Sequence, residues 1–196
     1  MKTQKLIPAM VLAFLTLPVF AQTATNNDLQ RDVHQQQRIE NGLKSGQLTT
    51  REASKLEHEE AHVSRAEAKA MKDGTMTPAE QNRIQTMQNK VSRDISAQKH
   101  DGQVGNPNSA SSKRMQADVQ RNVNQQKRIE NGVQNGSLNS REAARMERAQ
   151  GHVERKEARA GRNGHVSAAE QHRIQRTENR DSRRIFRQKH DAQRGV

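Results

Sequence analysis

The chain has 196 residues, with 34 Lys and Arg against 22 Asp and Glu, a formal net charge of +12 and no cysteine. Disulfide frameworks and thiol chemistry are therefore excluded. With three Phe, no Trp and no Tyr, so is a core built on aromatic packing, and the charge balance points to anionic partners.

Residues 1–21 read as a secretory signal peptide. Lys2 and Lys5 precede an apolar run from Leu6 to Phe20, and the small residue Ala21 offers a cleavage point before Gln22. The run is about 15 residues long, short for a span that needs roughly 20. Export is expected, with a periplasmic or extracellular mature protein cleaved near Ala21. Residues 22–27 form a polar leader.

A repeat organises the rest. Arg38-Ile39-Glu40-Asn41-Gly42, followed by Gly46, Leu48, Arg51 and Glu52, returns 90 residues later as Arg128-Ile129-Glu130-Asn131-Gly132, with Gly136, Leu138, Arg141 and Glu142. The repeated segments are 28–101 and 118–191, and 38 of their 74 paired positions are identical. The first copy has 12 basic and 12 acidic residues, the second 17 and 10. The second therefore carries most of the net charge.

Within the first copy, residues 28–40 predict a helix that Gly42 and Gly46 stop. Thr49 with Glu52 forms a capping box for a long second helix, and Thr77, Pro78 and Glu80 start a third that runs to about Lys99. Asn139 with Glu142 and Ser167 with Glu170 repeat both starts. The fold expected is all-α: two tandem helix–loop–helix–loop–helix modules, each three helices up-down-up, joined by a flexible Gly- and Ser-rich linker over 102–117. Residues 192–196 are a tail. The linker leaves the modules free to take any mutual orientation.

Four constellations invite a functional reading. Gly46 with Glu52 and Gly74 with Glu80 have the turn and terminal Glu of a calcium loop. The first ligand positions are Asn41 and Lys69, so capped helix turns account for them. His58-Glu59-Glu60-Ala61-His62 matches H-E-x-x-H, which places two imidazoles on one helical face. The second copy reads Arg148-Ala149-Gln150-Gly151-His152, and the match is taken as incidental to catalysis. With His34 on an antiparallel neighbour, His58 and His62 form a candidate site for Zn²⁺, Cu²⁺ or Ni²⁺ in the first copy only. Ordinary solvated His on a helix face is the competing reading.

The strongest candidate is a basic stripe. Arg173, Arg176, Arg180, Arg183 and Arg187 are spaced three, four, three, four, with Arg184 and Lys189 beside them. That spacing aligns them on one face of the last helix. Such a face suits rows of phosphate or sulfate: nucleic acid, lipopolysaccharide, teichoic acid or anionic lipid. With so few aromatics, nucleic-acid binding would be backbone-driven and indifferent to sequence. No Cys nucleophile, G-x-S-x-G or Walker loop is present, so a non-enzymatic protein is expected.

Taken together, Arg38–Gly42, Ser45-Gly46-Gln47-Leu48-Thr49, Asp73-Gly74 with Glu80, and Ser92-Arg93 with Lys99-His100-Asp101 resemble a family of small exported proteobacterial proteins of uncharacterised function. The resemblance covers both copies and implies an envelope or extracellular location. A weaker likeness, through Met76-Thr77-Pro78-Ala79-Glu80-Gln81, is to Spy/CpxP-type periplasmic chaperones and their metal-stress relatives. It implies a chaperone or metal-stress role. Polyanion binding by the second module is the leading expectation, with these two as alternatives.

Overall fold

The computed structural model describes residues 19–191, with side chains from Thr25 onward. Most of the expected signal segment and the tail 192–196 lie outside the described residues. Six helices and no strand are present among the described residues: α1 (Val19–Ser45), α2 (Thr50–Ala70), α3 (Pro78–Lys99), α4 (Ala110–Gln134), α5 (Ser140–Gly161) and α6 (Ala168–Lys189).

The helix starts follow the sequence closely. Thr49, Thr77, Asn139 and Ser167 each accept from the backbone N–H three residues on, and the Glu at that position accepts from the cap N–H in return. Each box satisfies two amides that a helix start leaves without partners.

The end of the first helix differs from expectation. α1 runs through Gly42 to Ser45. Only Gly46 turns the chain, at φ 77°, and Gly136 does the same at φ 73°. Gly42 serves packing instead. A Cβ there would lie 2.6 Å from Leu48 Cδ1, and a Cβ at Gly132 would lie 2.6 Å from Leu138 Cδ1. Leu48 folds back onto the helix it has just left, and its N–H donates to the Gly42 carbonyl at 2.9 Å. Gly42→Ala is expected to lower unfolding free energy by about 1–3 kcal/mol in urea denaturation, because the overpacking of Leu48 outweighs the helix propensity gained.

The segment read as a linker is largely structured. Residues 110–117 form the first turns of α4, capped by Ser109. Gly105 donates to the Gly46 carbonyl at 2.8 Å and packs so closely that a Cβ would meet Leu48 O at 2.4 Å. Met115, fully buried, anchors the new helix.

The two copies pack on each other. α2 lies along α5 and α1 along α4, while α3 bridges α1 and α2 and α6 bridges α4 and α5. One apolar cluster joins Ile39, Leu48, Leu56 and Val63 to Met115, Val119, Val153 and Val166. The other joins Leu29 and Met71 to Ile129, Leu138 and Met146. Each copy has too little apolar material to enclose by itself, and pairing supplies the missing half of both clusters. The contacts are reciprocal. Arg51, at the start of α2, donates to the Asn163 carbonyl just past α5 at 3.3 Å. Arg141, at the start of α5, donates to the Asp73 carbonyl just past α2 at 3.1 Å. Asp73 and Asn163 are repeat equivalents, so α2 and α5 run antiparallel across an isologous interface.

Candidate functional site

Pairing α2 with α5 decides which residues on them meet water. On α2 the exposed strip is Arg51, Lys55, His58, His62, Arg65 and Lys69, spaced four, three, four, three, four. On α5 the matching positions are Arg141, Arg145, Arg148, His152, Arg155 and Arg159, all exposed except half-buried Arg155. Every position on both strips is Arg, Lys or His. Among the described residues none of these side chains has a carboxylate within 4 Å. Crowding shows electrostatically. His62 is held below its ordinary value by partial burial, then by His58, Arg65 and Arg155. Arg155 is lowered by burial and by Arg65 and Arg159.

The α6 stripe joins this surface. Arg173, Arg176, Arg180, Arg183 and Arg187 are exposed, as their spacing predicts. Arg173, Arg176 and Arg180 line a groove against Lys156 and Arg159 of α5. Arg180, Arg183 and Arg187 line a second groove with Arg128 and Phe186. Arg159 also lines a groove over α2 with Lys55 and His58, so basic side chains continue from one helix to the next. Arg184 and Lys189 are drawn inward: Arg184 reaches Asp181 at 3.5 Å and Lys189 donates to the Arg128 carbonyl at 3.3 Å. Phe186 is exposed and stacks on His190, ring centroids 4.2 Å apart.

The three candidate His ligands are only partly assembled. His58 Nε2 and His62 Nε2 are 3.3 Å apart. His34 is exposed on α1 and does not join them in a group of three ligand atoms within 4.8 Å. Within the H-E-x-x-H segment, Glu59 pairs with Lys90 of α3 at 3.0 Å, while Glu60 turns into the core.

The carboxylates missing from the surface are inside. Glu57, Glu60 and Glu67 of α2 and Glu147, Glu154 and Glu157 of α5 are each no more than 2% exposed, as is Asp118 of α4, with Asp32 of α1 at 3%. Neutral donors hold them. Gln36 reaches Glu57 at 3.1 Å, Gln126 reaches Glu147 at 3.1 Å, Asn122 reaches Glu157 at 2.7 Å and Ser64 reaches Glu154 at 2.8 Å. Gln88 Nε2 donates to Asp32 at 2.8 Å and to Glu67 at 3.1 Å. Arg121 of α4 approaches this interior, its Nε 3.1 Å from Glu178 Oε2. The second oxygens of Asp32, Glu57, Glu67, Glu147 and Glu157 are buried with no hydrogen-bond partner.

Burial therefore dominates their titration. It pushes Asp32, Glu57 and Asp118 up to about 7 and Glu178 up to about 8. Glu67 and Glu147 are driven well above the ordinary carboxylate range by burial and then by Asp32. A carboxylate in such surroundings favours its neutral form or a positive partner.

Helical spacing within one copy leaves these acids on solvated faces and shows the basic stripe on α6 alone. A signal for the larger pattern was present. The four-three spacing of Arg, Lys and His on α2 and α5 leaves Glu57, Glu60 and Glu67, and their counterparts, on the opposite side with Leu56 and Val63. No protein-family model matches the chain, and no curated protein and no solved structure is detectably similar to it.

Proposed function

We propose that this is an exported, non-enzymatic protein that binds polyanions across α2, α5 and α6. One observation carries the reading: two antiparallel basic strips and five exposed arginines of α6, none of them ion-paired, meet along grooves in which Glu59 and Glu170 are the only acids. Ordinary solubility is served by mixed charges, and a predominantly basic field of this extent draws in rows of phosphate or sulfate. Arg groups in such an array engage phosphate by paired N–H donors and displace its counterions. Phe186 offers one stacking surface, so sequence preference is expected to be slight. On this reading the chain is two tandem three-helix modules, joined over 102–117, and their pairing through α2 and α5 creates the binding face. The leader at residues 1–21 delivers it to the periplasm or beyond, where lipopolysaccharide, teichoic acid and free nucleic acid are available anions.

Two other roles have less support. A transition-metal role in the first copy would rest on the His58–His62 pair without His34. A chaperone role needs apolar surface, and the exposed large apolar side chains among the described residues are Val104 and Phe186.

The test uses the full mature chain and its affinity for heparin, duplex DNA and lipopolysaccharide as salt is varied. Replacing Arg65, Arg155 and Arg159 with Gln, or Arg173, Arg176 and Arg180 with Gln, is expected to weaken binding at least tenfold. The slope of log affinity against log salt should shrink by about 0.9 for each phosphate that the variant no longer neutralises. Gln at Lys113, Lys127 and Arg93, exposed residues on other helices, removes the same charge and should change little. Equal weakening in all three variants would show net charge alone at work and overturn the assignment to this face.

A further inference from the structure

Asp32 of α1, Glu67 of α2 and Glu147 of α5 present carboxylate oxygens that all lie within 4.8 Å of one another. All three side chains are buried, at 3% exposure or less. Opposed oxygens around an ion at about 2.4 Å are just under 5 Å apart, so this spread matches a coordination shell. Acidic clusters alone are common, and two further observations point to a ligand here. Gln88 enters the cluster, its Nε2 donating to Asp32 and Glu67, and its Oε1 is buried with no partner. Asp32 Oδ2, Glu67 Oε2 and Glu147 Oε1, atoms of the cluster itself, are likewise buried with no partner. An amide oxygen is a ligand of the same hard class as a carboxylate.

We propose that Asp32, Glu67 and Glu147 form a buried binding site for a hard divalent cation, with the Gln88 amide turning over on binding so that Oε1 replaces Nε2 as a further ligand. The donor set is oxygen throughout, which favours calcium, magnesium or manganese over zinc or copper. Asp32 and Glu67 belong to the first copy and Glu147 to the second, so the ion would tie α2 to α5 beneath the basic face. The equivalent place in the other half differs. Asn122 stands where Asp32 does, and its Nδ2 donates to Glu157 Oε2 at 2.7 Å. Among the described residues no second group of three such ligand atoms comes this close together, so one ion per chain is expected.

The experiment titrates chelator-stripped full-length mature protein with MnCl₂ and with CaCl₂ at pH 7.5, followed by calorimetry and by manganese electron paramagnetic resonance. Saturable binding of about one equivalent is expected. Tm should rise by roughly 5–10 °C at an ion concentration about 100 times Kd. Glu67→Gln and Glu147→Gln keep the shape of the side chains and remove a buried charge, so both variants should fold. Each should weaken ion binding at least about tenfold, while Asp73→Asn, at an exposed loop acid, should bind as wild type. Absence of saturable binding by the wild type, or undiminished binding by both Gln variants, would overturn the site and leave a cluster of carboxyls that share protons.

Discussion

Unfolding free energy is expected to fall by about 3 kcal/mol or more as the pH is raised from 5 to 8. Glu57 illustrates the cause. Burial lifts its pKa from 4.5 to about 7, and each pH unit between those values is worth about 1.4 kcal/mol. Its folded form holds the proton more tightly than its unfolded form. The stabilisation is therefore complete below about pH 4.5 and is lost as pH rises to about 7. Asp118 and Glu178 act in the same direction, lifted to about 7 and about 8. Their sum would exceed the whole stability of many domains, so the interior must open or take up a cation before all of them ionise. The opposite trend is the ordinary one for a chain of net charge +12, whose self-repulsion grows as histidines and surface carboxylates take up protons. Urea denaturation at pH 5, 6.5 and 8 in the presence of chelator measures the effect. Glu57→Gln combined with Glu157→Gln should flatten the slope and raise stability at pH 8. A wild-type stability that is level or increases with pH would show that these acids are solvated.

Gly151→Leu is expected to destabilise the chain by about 3 kcal/mol. At Gly151 α5 comes close to α2 midway along both helices: a Cβ there would sit 3.1 Å from Ser64 Cβ and 3.2 Å from the Ala61 carbonyl oxygen. Its repeat equivalent is Ala61 itself, so small residues face each other where the helices cross. A Leu side chain would extend from a Cβ that already presses on α2, so the two helices must separate along an interface that also carries the buried carboxylates. Overpacking of this kind typically costs about 1–3 kcal/mol, and more where backbone must move. Gly151→Ala is the informative companion. It gains up to about 1 kcal/mol of helix propensity against a tight contact, so its net effect should stay within about 1 kcal/mol of zero. A Leu variant as stable as the Ala variant in urea denaturation would mean that α2 and α5 are not in close contact there.

The local grammar of the chain was legible before its tertiary structure. All four capping boxes form at the residues that announce them, because a cap depends only on its own next three residues. Gly42 misled for a complementary reason. Glycine at the end of a periodic segment usually stops a helix, but here the residue that requires it, Leu48, comes later and packs from outside the helix. The buried acids were harder still. Glu on a helix is normally taken as solvated, and nothing within one copy says that a second copy will cover Glu57, Glu60 and Glu67. Their burial depends on the pairing of α2 with α5, which is a long-range fact. The basic stripe on α6 was found because it lies on one short segment. Its continuation over α2 and α5 depends on the same pairing.

The reciprocal contacts between the copies have a consequence for how such a molecule can change. A half that paired with an identical partner would have to present the same surface twice, and its assembly would depend on concentration. Fusing the halves into one chain makes the encounter intramolecular, at an effective concentration on the order of millimolar for a short tether. Assembly is then assured at any dilution, and the two outer surfaces are released from identity. The net neutral first copy and the strongly basic second copy are the outcome of that freedom: one interface kept in duplicate, and two faces able to diverge.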